Sequence, residues 1–377
     1  MADSIRKCRC CGREITGAPK LSYKNMPALA QNFPTADEVK NDKSIDLDVF
    51  QCMYCGLVQV CAEPVSYYRD VIRAVAISDD MKQFRHDNFA DFVNGCNLHG
   101  KRLLEIGAGC GEYMQMMAEN DVEVVGLEHL KASVEKANAS GLKVYEGFIE
   151  DALYKVPDGP YDGFFIMNFL EHIPNPVEFM IGIANNIKEG AYGLVEVPSG
   201  DGIFKEHAFS AFMLDHLSYF TVDTLRTLLS LAGFEIISCE VILGDYILSA
   251  VVRKRLTIDV EGFAEREKKV VDRINNFINQ AKENGKKVAV WGAGHESLSN
   301  IALSDISDKI ECVLDSAPFK QNKYTPATHI PVVAPSEITT RGIGAVIVMC
   351  ANYSDEVERI VKEQYPGVDT LKVVITD

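Results

Sequence analysis

The sequence predicts an α/β protein with two Rossmann-like units preceded by a small cysteine-rich module. Three observations predict it. Residues from about 80 to 255 alternate apolar strand-like runs with amphipathic helical stretches, the pattern of a parallel sheet with crossover helices. Two runs, KRLLEIGAGCGEYMQMM and KKVAVWGAGH, each read as strand, glycine loop and helix. Two C-x-x-C pairs, Cys8 with Cys11 and Cys52 with Cys55, stand in an opening stretch that has little periodicity.

At 377 residues the chain has room for two or three domains. The texture divides it at 1–65, 66–257 and 258–377. Hydrophobic residues make up 47% and charged residues 24%, a globular composition and not a disordered one. The net charge of −16 repels a phosphate backbone and an anionic membrane, so no nucleic acid and no membrane are expected as partners. No apolar run spans a bilayer, and MADSIRKCRCCG lacks the apolar core of a secretory signal. A cytoplasmic protein is expected, a monomer or a weak homo-oligomer. In that reducing compartment, clustered cysteines point to metal before disulfides.

Each C-x-x-C is trailed by glycine, Gly12 and Gly56. A tight turn there aims two thiolates at one ion, and two such knuckles make the tetrahedral Cys₄ set that zinc prefers. Four protein ligands leave no open position, so such a zinc is structural. The alternative is four unrelated buried cysteines. Cys10, inside the first knuckle, is a substitute ligand at best, and the other cysteines read as small core residues.

The first glycine loop comprises Gly107, Ala108, Gly109 and Gly111. Glycine lets the backbone approach a ligand closely, and the helix that follows offers free N–H groups. Nicotinamide enzymes use a similar loop, so the loop alone does not decide the cofactor. Glu105, two residues before the first glycine, completes an acid-x-Gly-x-Gly-x-Gly run similar to that of class I methyltransferases. Glu128 ends the next strand, where a carboxylate accepts from ribose hydroxyls. In EGFIEDAL, Phe148 and Ile149 are suited to sandwich an adenine, with Glu150 or Asp151 accepting from its amine. Phe148 reads equally well as core. In that class the end of the fourth strand, here Asn168-Phe169, runs past the methionine portion of S-adenosylmethionine. His172, after Glu171, stands where many such enzymes carry a histidine without catalytic use; a catalytic base is the alternative reading.

Residues 259–284 predict one long helix, with Phe263, Val270, Ile274, Phe277, Ile278 and Ala281 on one stripe and Asn284-Gly285 at its end. The second glycine loop, Gly292-Ala293-Gly294, precedes a helix opening at His295, an arrangement that can cradle a phosphate. Asp315 ends the next strand and is placed for a ribose, Lys320 and Lys323 for a diphosphate. The opposing reading is a loop that packs tightly and binds nothing. Trp291 reads as core.

With these motifs in place, nearly the whole chain resembles the sugar-nucleotide C-methyltransferase family. MPALAQNF and CMYCGLVQV resemble segments of its N-terminal zinc module. WGAGH, VLDSAPFKQNKYTPATHIPVV and CANYSDEV resemble segments of its C-terminal Rossmann-like domain. The family's catalytic run Y-x-E-H, then x-S-Y-F, is met by Met213-Leu214-Asp215-His216 and Leu217-Ser218-Tyr219-Phe220. The tyrosine has become Met213, which has no proton to donate, and the glutamate has become Asp215. The family's cofactor-covering segment is represented by VIRAVAISDDM around Ser78. Its G-G-S-L-R motif appears as GDYILSAVV from Gly244, without the arginine.

The resemblance implies an S-adenosylmethionine-dependent C-methyltransferase acting on a nucleotide-linked keto-deoxysugar, with zinc in the N-terminal module and the nucleotide held by the C-terminal domain. His216 is then the general base and Asp215 orients or charges it. Without the tyrosine, the enolate oxygen needs another partner, and Tyr219, Tyr246 or His207 are the candidates. The non-catalytic reading has His216 capping the helix that starts near Thr221 and Asp215 as a loop acid. Methyl transfer to a hydroxyl or amine is the alternative activity, since it needs a base but no enolate donor. A nicotinamide oxidoreductase conflicts with Glu105 and the Phe148 region. A non-enzymatic zinc-ribbon interaction protein conflicts with the acidic balance and the complete cofactor loop.

Overall fold

The computed structural model describes residues 6–30, 33–70 and 79–373. Residues up to Thr257 form one compact unit and residues from Ile258 a second.

In the first unit, β1 (Leu21–Pro27), β2 (Ser44–Gln51) and β3 (Val58–Val60) make an antiparallel meander. After α1 (Asp79–Gly95) the chain alternates strand and helix. The elements are β4 (Arg102–Ile106), α2 (Glu112–Ala118), β5 (Glu123–Glu128), α3 (Lys131–Ala139), β6 (Lys143–Glu146), β7 (Tyr161–Met167), α4 (Pro176–Ala184) and β8 (Ile187–Pro198). Then come α5 (Gly200–Lys205), β9 (Ser218–Tyr219), α6 (Val222–Leu231), β10 (Phe234–Ile242) and β11 (Ile247–Lys254). Seven strands form one sheet in the order β10-β11-β8-β7-β4-β5-β6. From β8 to β6 they run parallel, and β11 is antiparallel to β8. The central strands β4 and β7 are near-continuous apolar runs because helices cover both faces of such a sheet.

The short strand β9 does not join that sheet. It pairs with β3, Tyr219 opposite Val58 and Ser218 opposite Gln59, as the fourth strand of the N-terminal meander. Backbone hydrogen bonds therefore cross the division expected at residue 65. The core is continuous across it too: Cys8, Phe50, Cys52 and Leu57 belong to one buried cluster with Phe164, Leu225, Leu228 and Phe234. Helix α1 is fastened to the large sheet by a buried ion pair of Arg85 with Glu196 on β8.

Helix α6 starts with a capping box. The Thr221 side chain accepts from the Thr224 N–H, and the Thr224 hydroxyl accepts from the Thr221 N–H. The helix supplies its own cap, so the helix-capping reading of His216 is overturned.

In the second unit, α7 (Val260–Glu283) leads to β12 (Lys287–Trp291), α8 (His295–Leu303), β13 (Cys312–Leu314), β14 (Lys323–Tyr324) and β15 (Pro331–Val333). It closes with α9 (Ile338–Arg341), β16 (Ile343–Val348), α10 (Ser354–Gln364) and β17 (Asp369–Lys372). The sheet order is β14-β15-β13-β12-β16-β17, parallel except at the β14 edge. Ile274, Ile278 and Ala281 of α7 are buried, but Phe263 on the expected stripe is 72% exposed. The apolar stripe is covered only from about Val270 onward. Trp291 lies in the core. Among the described residues, no helix is long and apolar enough to cross a membrane.

Candidate active site

In an open α/β sheet, ligands bind beyond the carboxyl ends of the strands where the strand order reverses. Here that point lies between β4 and β7, and the first glycine loop follows β4. Gly107, Gly109 and Gly111 all have positive φ. At Gly111, with φ +89°, an added Cβ would also meet Leu142 at 2.1 Å. The N–H groups of Gly107 and Ala108 donate to the Leu127 carbonyl at 2.9 and 3.1 Å, which folds the loop against the end of β5.

Glu128 closes that fold. Its buried carboxylate accepts from Gly109 N at 2.8 Å and from Leu130 N at 2.8 Å. The side chain read as a ribose acceptor thus already ties the glycine loop to the tip of β5. Glu105 is fully buried in β4 beneath the loop.

A small cavity beside the loop is lined by Gly107, Phe148, Ile149 and Phe169, four of the residues expected at the cofactor. Its other lining side chains include Arg69, His129 and Phe179, which the sequence reading missed. The Arg69 guanidinium stands 5.0 Å over the Phe148 ring, held by Glu150 at 2.8 Å and by the Tyr68 hydroxyl at 3.0 Å. Of the two acids considered for the adenine amine, Glu150 is engaged with Arg69, and Asp151 accepts from Leu153 N at 2.7 Å. Asn168 is exposed at the end of β7, at φ +50°. Ser78 lies outside the described residues.

From Phe169 the chain makes one 3-10 turn, Leu170–His172. His172 packs edge-to-face on His216, ring centroids 4.8 Å apart. Burial, then the neighbouring His172, pushes the His216 ring down to about 3, so it is a neutral imidazole at ordinary pH. Glu171, buried beside them, is shifted upward by the same loss of solvent.

Asp215 is not bonded to the His216 ring. Its buried carboxylate takes the Tyr67 hydroxyl at 3.0 Å and Ala30 N at 3.2 Å, fixing the loop before β9 to the N-terminal segment. The expectation that Asp215 orients His216 is corrected accordingly. Tyr67 was missed because nothing local marks it: it stands 148 residues from its partner. The buried Tyr219 hydroxyl accepts from Met213 N at 2.9 Å and props the loop internally. His207, on an exposed turn with φ +51°, lines a different, largely apolar cavity with Tyr23, Phe209 and Phe212. Tyr246 is 66% exposed and precedes Ile247, which pairs with Pro198 at the carboxyl end of β8.

The four cysteine sulfurs of Cys8, Cys11, Cys52 and Cys55 lie within 4.8 Å of one another. Cys8 and Cys55 are 3.4 Å apart, Cys11 and Cys52 3.6 Å. Tetrahedral zinc with bonds of about 2.3 Å spaces its sulfurs by roughly 3.8 Å, and a disulfide would need about 2.0 Å. The donor set fits zinc. Each knuckle closes on its glycine, Gly12 N to Cys8 O and Gly56 N to Cys52 O, both at 2.9 Å. Cys10 stays outside this group, a thiol pushed up to about 12 by burial and the charge of nearby Cys8.

In the second unit, Gly292 has φ +117°, and an added Cβ would meet the Met349 carbonyl at 2.4 Å, so its absence of side chain serves close packing. Gly294 and His295 are exposed at the start of α8. Asp315 repeats the role of Glu128: it accepts from Ala293 N and Ala317 N, both at 2.9 Å. Lys320, expected at a diphosphate, reaches Asp315 at 2.9 Å and the Ala293 carbonyl at 3.0 Å. Lys323 is exposed on β14.

A family model described as "Methyltransferase domain" matches residues 77–239, and one described as "C-methyltransferase C-terminal domain" matches residues 256–367. The C-methyltransferase NovU of Streptomyces niveus is 21% identical over 95% of this chain and 93% of its own. The ubiquinone biosynthesis O-methyltransferase of Alkalilimnicola ehrlichii is 27% identical over 30% of this chain and 47% of its own length. The plantazolicin methyltransferase BpumL, solved with SAH, is similar over 47% of this chain and 86% of its own, at 13% identity and a TM-score of 0.38. Two domain matches that follow one another without overlap, and a relative similar along nearly the whole length, put this chain in the family of S-adenosylmethionine-dependent methyltransferases that carry a C-methyltransferase C-terminal domain.

Proposed function

We propose that this methyltransferase methylates a carbon next to the ketone of a nucleotide-linked deoxysugar, with His216 as the base. The observation that carries the reading is the short segment from Asn168 to His172: Phe169 lines the cofactor cavity, and three residues later His172 touches the half-buried ring of His216. S-adenosylmethionine, when bound, supplies an electrophilic methyl group. Phe148, Ile149 and Arg69 would flank its adenine, Glu128 its ribose, and Asn168 and Phe169 its methionine end. Neutral His216 takes the proton from the substrate carbon, and burial keeps water from competing for the carbanion. Of the three candidate partners for the enolate oxygen, Tyr246 is the exposed one beside the carboxyl end of β8; the Tyr219 hydroxyl is held by the Met213 backbone, and His207 lines a different cavity. Gly294, His295 and Lys323 would meet the nucleotide phosphates. The Cys₄ cluster would hold a structural zinc.

Transfer to oxygen is the second reading, favoured by Met213, which leaves the expected enolate donor missing. A panel of nucleotide-linked keto-sugars, incubated with methyl-labelled cofactor, separates the two. A new carbon–carbon bond and exchange of the proton beside the ketone are expected. A methyl group on oxygen, with no exchange, overturns C-methylation.

A further inference from the structure

Between the cofactor cavity and His216 sits a carboxylate that the mechanism above leaves unused. Glu171 is 2% exposed, and its Oε2 is buried without a hydrogen-bond partner among the described residues. Its Oε1 lies 3.7 Å from His172 Nε2. His172 Nδ1 is 2.8 Å from the Asp215 carbonyl oxygen. A carbonyl only accepts, so Nδ1 carries the ring proton and Nε2 turns its lone pair toward Glu171. The other side of the cluster is His216, and one nitrogen or oxygen from each of the three residues lies within 4.8 Å of the others.

We propose that Glu171, His172 and His216 accept the substrate proton as one unit, with Glu171 as the positioning residue that supplies its negative charge. The proposal rests on the reading of His216 as base. A largely desolvated imidazole alone is a poor base, because protonating it creates a charge that little water solvates. Glu171 meets the same cost, its carboxyl raised by burial, while the neighbouring His172 works the other way; with that carboxylate ionised, proton uptake takes the cluster from one negative charge to none. The substrate C–H bond breaks, its electron pair stays on carbon, and an N–H bond forms on His216. The proton then passes to His172 Nε2, drawn by Glu171, between rings whose centroids lie 4.8 Å apart. Two imidazoles this close hold one extra proton between them, not two. The other titratable groups facing the rings are committed: the Asp215 carboxylate to Tyr67 and Ala30, and the Tyr219 hydroxyl, on a ring 6.2 Å from His216, to the Met213 backbone.

The test is a pH titration of the histidine ring C–H signals by NMR in the full-length, cofactor-saturated chain. Glu171→Gln, close in size, is expected to lower the titration point of the His172–His216 pair by at least one unit, a tenfold loss of proton affinity. The acid limb of kcat/KM for thymidine-diphosphate-4-keto-6-deoxyglucose should move the same way, with KM unchanged. Unaltered ring titrations overturn the proposal. Should Glu171→Gln not fold, His172→Asn keeps a donor for the Asp215 carbonyl and removes the relaying nitrogen. It is expected to slow proton exchange at the probe at least tenfold, and wild-type exchange overturns the proposal. An inactive His216→Asn beside an unaltered Glu171→Gln sinks the relay and spares the base. A fully active His216→Asn sinks the base reading itself.

Discussion

His216 is a half-buried neutral ring, and its chemistry depends on what surrounds it. Replacing it with asparagine keeps a polar side chain there and removes the base. Turnover should fall by about 10²–10⁴-fold, the range for loss of a general base, while calorimetry finds cofactor affinity within about twofold of wild type. Near-normal turnover would remove His216 from the reaction. Glu128 behaves oppositely. Its carboxylate holds Gly109 and Leu130 before any ligand arrives, so Glu128→Ala should weaken cofactor binding by about tenfold or more, measured by the same calorimetry. Unchanged affinity would deny Glu128 both roles. At this scale the sequence pointed to side chains but not to the partners that the fold gives them. His216 was legible because its run matched a known pattern. That Asp215 faces Tyr67 was not, because a tertiary contact leaves no local signal.

Among the elements, the two glycine loops were the most legible features, since positive φ is a local demand that few other residues meet. The two loops share a further device that was not foreseen. In each, the acid ending the second strand binds an N–H of the loop and the N–H two residues beyond itself, Glu128 in one sheet and Asp315 in the other. Burial works against ionising Asp315, yet the N–H of Ala317, the ammonium of Lys320 and the N–H of Ala293 together hold its carboxyl below its ordinary 3.8. The folded value lies below the unfolded one, so this contribution is complete above about pH 3.8 and is lost as pH falls through the folded value. Hydrogen exchange over residues 287–333 should therefore accelerate on acidification below about pH 4, and Lys320→Met should bring the change to higher pH. Exchange indifferent to that substitution would contradict the pairing. Gly292→Ala should cost about 1–3 kcal/mol in denaturant unfolding, from its φ and from the Met349 carbonyl in the way. A neutral effect would mean the loop can shift. Strand β9 escaped the sequence entirely, because two residues carry no periodicity.

For the molecule as a whole, the alternation of strands and helices announced both sheets, and paired cysteines announced the knuckles. What stayed hidden was the degree of fusion: composition changes at residue 65, but the core and the hydrogen bonds do not stop there. Cys52→Ser should accordingly do more than loosen the N-terminal segment. It is expected to release zinc and lower a single thermal transition of the first unit by about 10 °C, given the free energy such sites contribute. Full thermal stability in a metal-free protein would count against the Cys₄ reading.

The pairing of β3 with β9 has a consequence for how such chains can be recombined. Met213 to Phe220 is hung on a strand whose only strand partner among the described residues lies in the first sixty residues. Swapping in the N-terminal segment of a relative would replace the frame of the imidazole as well as a metal clip. Exchange between relatives should preserve activity only when residues 213–220 travel with that segment, so the two stretches are inherited as a pair although some 150 residues lie between them.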